Sequence, residues 1–332
     1  MAEEPYIDPI TKVYSSFPEA KDFYDKYGGI EIFDDKDPRL TPSDLAQGTR
    51  NLIVGEPGVG KSLLMGKIRD HVATSHLTEL INLRDLELEK KIDAFIRKKS
   101  AQSKALFLDA LDEVQSSRFP LVLHKLEKLS KENPKLSLYI SSRWIFVSRY
   151  AKSFTDFRFI VVCPFTQGQV SEYLLATGHS QQDIDKLRHT MSFSHRTMVI
   201  QIPRYLSYFE DYLKKNNIDV AAKASRNELF EHFIYRKLDH EDKTLQADKK
   251  AIVKRILEKL ALTMEIYQTN VLTKDELMTF FDEIKSDLKL VALAQIDLES
   301  LYDHSILRNN IDTIEFDNSE FQEYLAAKEI SR

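Results

Sequence analysis

The stretch Gly55-Glu56-Pro57-Gly58-Val59-Gly60-Lys61-Ser62 constrains this chain more than any other. Three of its nine glycines fall within six positions and are followed at once by Lys-Ser and an apolar run. A loop whose backbone must approach something closely takes residues without a Cβ. The spacing Gly-x4-Gly-Lys-Ser is that of a phosphate-binding loop, where backbone N–H groups and a helix N-terminus face an anion. Residues Gly55, Glu56, Pro57, Gly58, Val59, Gly60, Lys61, Ser62 and Leu63 are therefore the expected nucleotide contacts. Lys61 is expected to reach the β- and γ-phosphates and the Ser62 hydroxyl to ligate Mg²⁺. The flanks agree: Asn51-Leu52-Ile53-Val54 reads as a short buried strand, and residues 63–76 as a helix.

Glycine and proline divide the rest. Seven of nine glycines lie between Gly28 and Gly66, and no proline follows Pro203. The 129 residues from Arg204 onward contain neither breaker and are expected to be mainly helical. Ile252, Val253, Ile256, Leu257, Leu260, Ala261 and Met264 form one apolar helix face, and Leu229, Phe230, Phe233, Ile234 and Leu238 another. Capping boxes are read at Ser225–Glu228 and Thr273–Glu276. Before Pro164 the pattern alternates. Strands are expected at 51–54, 80–83, 105–108, 136–141 and 159–162, with helices between them. That alternation predicts a parallel five-stranded sheet with helices on both faces. Residues 1–47 carry five prolines and read as an irregular lead-in.

Ala105-Leu106-Phe107-Leu108-Asp109-Ala110-Leu111-Asp112-Glu113-Val114 is the second motif. A buried parallel strand delivers its last residue to the carboxyl edge of the sheet, where ligands bind. Asp109 is placed to hold the Mg²⁺ that Ser62 touches, and Asp112 or Glu113 to activate the attacking water. Glu113 is favoured for its longer reach. Leu138-Tyr139-Ile140-Ser141-Ser142-Arg143 ends another strand in a cation suited to the γ-phosphate, with Arg149 a weaker candidate on the same logic. No Asn-Lys-x-Asp tetrapeptide occurs, which favours ATP over GTP.

Charge and composition exclude other classes. The formal net charge is −5, and residues 204–332 hold 19 Lys and Arg against 25 Asp and Glu. A groove-reading domain carries a basic face, so nucleic acid is not the expected partner. No apolar stretch reaches the ~20 residues of a bilayer span. The single Cys163 rules out a disulfide framework, and the expected compartment is the cytoplasm.

The order of these motifs resembles the NACHT branch of the STAND signalling ATPases. The resemblance is carried by the loop at 55–62, by Asp112-Glu113 set three residues after Asp109, and by Ser141-Ser142-Arg143. It continues through Ile202-Pro203-Arg204-Tyr205-Leu206, through 226–234, and through Phe321-Gln322-Glu323-Tyr324-Leu325. It implies a P-loop domain at 48–164, a small all-α domain at 165–215, and a helical, winged-helix-like domain at 216–332. It also implies Pro203 against the adenine and Arg143 as sensor. Two positions depart from the pattern. Asn318 stands where members often carry the His that senses the ADP β-phosphate, and Gln201 where a Gly often precedes the proline by two. Asn318-Ser319-x-x-Gln322 also reads as a plain helix start. The implied activity is a slow Mg²⁺-dependent ATPase switch that alternates between ATP and ADP and self-associates on ATP. Its sensor and effector are expected to be separate or missing, and the implied setting is prokaryotic antiviral defence. The alternatives are a DNA-handling ATPase that uses the winged helix and a scaffold that holds nucleotide without turnover.

Overall fold

The computed structural model describes residues 5–27, 39–85, 87–99, 102–114, 118–191, 200–238, 247–288, 306–309, 313–316 and 319–332. They form two compact units, one running up to Arg226 and one from Asn227 onward.

The first unit is built on a six-stranded sheet. In chain order its elements are β1 (Thr11–Tyr14), α1 (Phe17–Tyr27), α2 (Pro42–Leu45), β2 (Arg50–Val54), α3 (Lys61–Val72), β3 (His76–Asn82), α4 (Leu88–Arg97) and β4 (Ser103–Asp109). There follow α5 (Phe119–Glu132), β5 (Ser137–Ser142), α6 (Trp144–Arg149), β6 (Arg158–Val162), α7 (Gln167–Ala176), α8 (Gln181–Met191), α9 (Pro203–Lys215) and α10 (Ile218–Ala221). The strand order is β1-β6-β2-β5-β4-β3. β2 to β6 run parallel, and β1 is antiparallel to β6.

Side-chain alternation builds the two faces. Leu52, Val54, Leu106, Leu108, Leu138, Ile140, Phe159 and Val161 point to one core, where they meet Ile92 and Phe95 of α4 and Val122 and Leu126 of α5. Ile53, Ala105, Phe107, Tyr139, Ile160 and Val162 point to the other, against Leu64, Met65 and Ile68 of α3. Both faces of these strands are buried, so they read as near-continuous apolar runs, as parallel strands do. Each such Leu, Ile or Phe contributes roughly 1.5–3 kcal/mol of transfer free energy.

Two expectations are corrected. The lead-in is not irregular throughout, since it holds β1, α1 and α2, and β1 makes the five-stranded parallel sheet a mixed sheet of six. Thr11-Lys12-Val13-Tyr14 suits an edge strand, and Thr11 pairs with Val162 and Tyr14 with Phe159. The helix expected at 63–76 ends at Val72, and β3 already begins at His76. Thr74 and Ser75 turn their hydroxyls onto the His71 and Val72 carbonyls and so end the helix.

The second unit contains α11 (Arg226–Leu238), α12 (Ala247–Ile266), β7 (Leu272–Thr273), α13 (Lys274–Leu288), β8 (Leu307–Asn309), β9 (Thr313–Phe316) and α14 (Ser319–Ile330). The strands form an antiparallel sheet in the order β7-β9-β8, so this part is mainly but not wholly helical. Val253, Ile256, Leu257, Leu260 and Met264 of α12 are buried, as are Leu229, Phe230 and Ile234 of α11. Phe230 stacks on Tyr324 at 5.0 Å and meets Phe321 edge-on at 5.8 Å. The box at Thr273 forms: Glu276 N–H donates to Thr273 Oγ1 at 3.2 Å, and Thr273 N–H to Glu276 Oε2 at 2.7 Å. No helix among the described residues is long and apolar enough to cross a membrane.

Candidate active site

Parallel strands bring their last residues to one edge. Register pairs Val54 with Ser142 and with Val161, and Asn82 with Asp109. The phosphate loop, Asp109 and Arg143 therefore lie together where β2, β4 and β5 end.

The loop leaves β2 at Gly55. A Cβ there would lie 2.8 Å from the Val162 carbonyl oxygen and 2.9 Å from Val59 Cγ1, so no side chain fits. At Gly58 the backbone is left-handed, with φ 74°. A Cβ on Gly58 would press on Ile202 and Arg204 at 3.1 and 3.0 Å. Arg204 N–H donates to the Gly58 carbonyl at 3.3 Å, so the residues either side of Pro203 lie against the loop. Pro203 is the first residue of α9 and half-buried, and Gln201 is buried, its carbonyl accepting from Phe165 N–H at 2.7 Å.

α3 starts at Lys61, and its first-turn residues Ser62 and Leu63 are exposed. Lys61 Nζ donates to the carbonyls of Gly55 and Glu56, each at 3.0 Å. Burial holds the Lys61 ammonium below its ordinary pKa. Asp112 opposes that most, Arg143 adds to it, and Glu113 and Glu56 oppose it more weakly. One cation thus sits in the field of Asp112, Glu113 and Arg143.

β4 ends at Asp109, whose Oδ1 accepts from Ser141 Oγ on the neighbouring β5. Ser141 Oγ accepts in turn from Ala110 N–H at 2.8 Å, and Ala110 is left-handed at φ 64°. That turn carries Leu111–Glu113 into a short 3₁₀ helix. Asp112 is buried and held twice by Arg143: the backbone N–H donates to Oδ1 at 3.0 Å, and Nε lies 2.8 Å from Oδ2. Glu113 is more exposed, and its Oε2 lies 3.2 Å from Nη1 of the buried Arg84. Asn82 Oδ1 accepts from Arg84 N–H at 2.9 Å and from Arg84 Nε–H at 3.3 Å, and so orients it.

The expected residues Lys61, Asp109, Asp112, Glu113 and Arg143 are thus brought together, with Pro203 beside the loop. Arg149 lies exposed in the last turn of α6. Asn318 lies outside the described residues. Arg84, Asn82 and Ser141 were missed. The rule that found Asp109 and Arg143, the last residues of a parallel strand, applies equally to Asn82 and Arg84 after β3.

The residues fit a nucleotide with Mg²⁺. Gly55 leaves no room for a side chain, the Lys61 ammonium rests on neutral acceptors, and Ser142 Oγ is buried with no hydrogen-bond partner among the described residues. Ser62 and Asp109 supply hard oxygen donors. Mg²⁺ is commonly held by one or two such ligands, with phosphate and water completing its shell.

A phosphate-type loop between β2 and α3, in front of a mainly parallel sheet covered on both faces, makes the first unit an α/β P-loop NTPase fold. No family model and no curated protein matches the sequence. Solved structures are similar to it at low identity. A Walker-type ATPase of Pyrococcus abyssi is 13% identical, with 89% of this chain and 99% of that one covered and a TM-score of 0.39. Cdc6p from Pyrobaculum aerophilum is 15% identical over 99% of this chain and 97% of its own, at a TM-score of 0.38. The Thermotoga maritima RuvB Holliday junction branch migration motor is 13% identical over 93% and 97%, at 0.34. Likeness at this level says nothing about activity.

Proposed function

We propose that the chain binds ATP with Mg²⁺ and hydrolyses it slowly, as a molecular switch of the NACHT type. The observation that carries this is Lys61, a half-buried ammonium whose hydrogen bonds go to two carbonyls of its own loop. A phosphate offers it charged acceptors instead, and charge-assisted hydrogen bonds are roughly twice as strong as neutral ones.

The remaining roles follow from the edge of the sheet. Loop N–H groups and the start of α3 hold the phosphates. Ser62 and Asp109 are the residues that would hold Mg²⁺, which when bound neutralises charge on the β- and γ-phosphates. Arg143, oriented by Asp112, is the cation for the γ-phosphate. Asp112 is committed to that arginine, which leaves Glu113 as the base. Its carboxylate takes the proton of the attacking water as the water oxygen bonds to the γ-phosphorus and the bond to the ADP oxygen breaks, giving ADP and phosphate. Arg84 holds Glu113 until then. The resemblance supplies the rest of the reading: adenine beside Pro203, self-association with ATP bound, sensor and effector on other chains, and a cytoplasmic role in prokaryotic antiviral defence.

Phosphate release from ATP and from GTP, with and without Mg²⁺, tests the chemistry, and light scattering with ATP or ADP tests the assembly. The expected result is slow, Mg²⁺-dependent release that prefers ATP, lost in Asp109→Asn, with larger particles in ATP. Stronger turnover of GTP contradicts the base preference. Turnover that requires duplex DNA favours the DNA-handling alternative. Binding with no turnover favours the scaffold.

A further inference from the structure

Arg143 is held from in front by Asp112, and the residue behind it is held as well. Trp144, the chain's only tryptophan, begins α6 directly after Arg143. Tyr24 of α1 stacks on it, with ring centroids 4.2 Å apart and planes 1° from parallel. Phe17, at the other end of α1, stacks on it at 5.4 Å and 15°. Phe159 of β6 meets it edge-on at 6.4 Å. The helix that supplies these rings is itself anchored. Ala20 and Phe23 are buried in the sheet's core, β1 pairs along β6, and Cys163 N–H donates to the Ile10 carbonyl at 3.0 Å. Burial pushes the Tyr24 phenol well above its ordinary pKa, and the Glu56 carboxylate adds to that rise.

We propose that Trp144 is a positioning residue and α1 its clamp: the stack of Tyr24 and Phe17 on Trp144 fixes the backbone from which Arg143 reaches the γ-phosphate. This rests on the reading of Arg143 given above. A functional guanidinium must be held within about 0.5 Å of its working place. α6 has only six residues and cannot by itself fix its first turn to that tolerance. Stacked ring pairs contribute about 0.5–1.5 kcal/mol beyond their buried area, enough to bias a short segment between two placements. Sensing of the third phosphate then depends on a segment that precedes the phosphate loop by some thirty residues, roughly the distance from Tyr24 to Gly55.

The test is titration of the full chain with fluorescent N-methylanthraniloyl ATP and ADP, each with Mg²⁺. The variants are Tyr24→Leu, Tyr24→Phe, Phe17→Leu, Arg143→Ala and the double variant of Tyr24→Leu with Arg143→Ala. Far-ultraviolet circular dichroism and a cooperative thermal transition report whether each variant is folded. Tyr24→Leu should weaken ATP about two- to twelvefold, the equivalent of one stacked pair, and leave ADP within about twofold. Tyr24→Phe keeps the ring and should restore the wild-type ratio. In the Arg143→Ala background, Tyr24→Leu should cost no further ATP affinity, because both act through one contact. Phe17 is half-buried, so Phe17→Leu carries the same comparison if Tyr24→Leu does not fold. Equal weakening of ATP and ADP, an unchanged ratio in both Leu variants, or additive losses in the double variant would overturn the proposal. A wild-type protein that binds neither nucleotide overturns the reading of the site itself, and the wild-type titration alone reveals it.

Discussion

Two regions of this protein concentrate charge, and they treat it differently. In the second unit, Glu258 of α12 is fully buried and surrounded by its own cations: Lys254 Nζ at 3.7 Å, Arg255 Nη1 at 3.4 Å and Arg332 Nη1 at 2.7 Å. Glu231 of α11 likewise faces Lys254, Lys328 at 3.0 Å and the Tyr324 hydroxyl at 2.8 Å. There the protein supplies the charged partners itself. At the sheet edge of the first unit the half-buried cation Lys61 rests on two neutral carbonyls, and the Ser142 hydroxyl has no hydrogen-bond partner among the described residues. Buried charge satisfied by the protein holds structure together. Charge left on weak acceptors is capacity kept for a ligand.

Substitutions can break or sharpen this contrast. The largest effect is expected at Glu113. Glu113→Gln keeps the volume and loses the ability to take a proton, so single-turnover hydrolysis should fall by ~10²–10⁴-fold while ATP still binds. Asp112→Asn should differ in kind, weakening the hold on Arg143 and with it ATP binding. If both variants hydrolyse ATP at the wild-type rate, the pair has no catalytic role.

Glu258 should behave in the opposite way. Glu258→Gln leaves Lys254, Arg255 and Arg332 around a neutral amide, and loss of one partner of a buried ion pair costs about 3 kcal/mol. Urea unfolding should show that loss, with nucleotide affinity unchanged. A loss below about 1 kcal/mol would mean that the network is not structural, and a change in ATP affinity would erase the contrast between the regions.

The smallest effect is a pH dependence at Glu231. Burial alone would raise its pKa, but hydrogen bonds from Lys254, Lys328 and Tyr324 outweigh burial and hold it below the ordinary 4.5. A carboxyl depressed in the folded state contributes stability above its unfolded pKa, and that stability is lost as pH falls through the folded value. The stability difference between wild type and Glu231→Gln should therefore be constant near neutrality and shrink as pH drops below about 4.5. A difference that stays flat across that range would contradict the role given to Glu231.

Much of the site was legible because its parts are local. The spacing from Gly55 to Ser62 specifies a loop, and the apolar runs ending in Asp109 and Arg143 specify strands that open onto one edge. What the spacing does not encode is which strands lie side by side. Asn82 pairs with Asp109, and Ser141 hydrogen-bonds Asp109, because β4 lies between β3 and β5. Arg84 meets Glu113 for the same reason. β1 was hidden differently: Pro5 and Pro9 mark a loop correctly, but four residues beyond them gain a strand only by pairing with β6, some 150 positions away. The stack of Tyr24 and Phe17 of α1 on Trp144 is likewise not encoded in local spacing.

The central claim is that the charge left on weak acceptors at the sheet edge waits for the phosphates of ATP. Titration of fluorescent ATP with Mg²⁺ into wild type and Lys61→Ala tests it most directly. Wild type should bind, and Lys61→Ala, still folded by its Trp144 emission, should lose most of that affinity. Equal affinity in the two proteins, or no binding by wild type, would contradict the account.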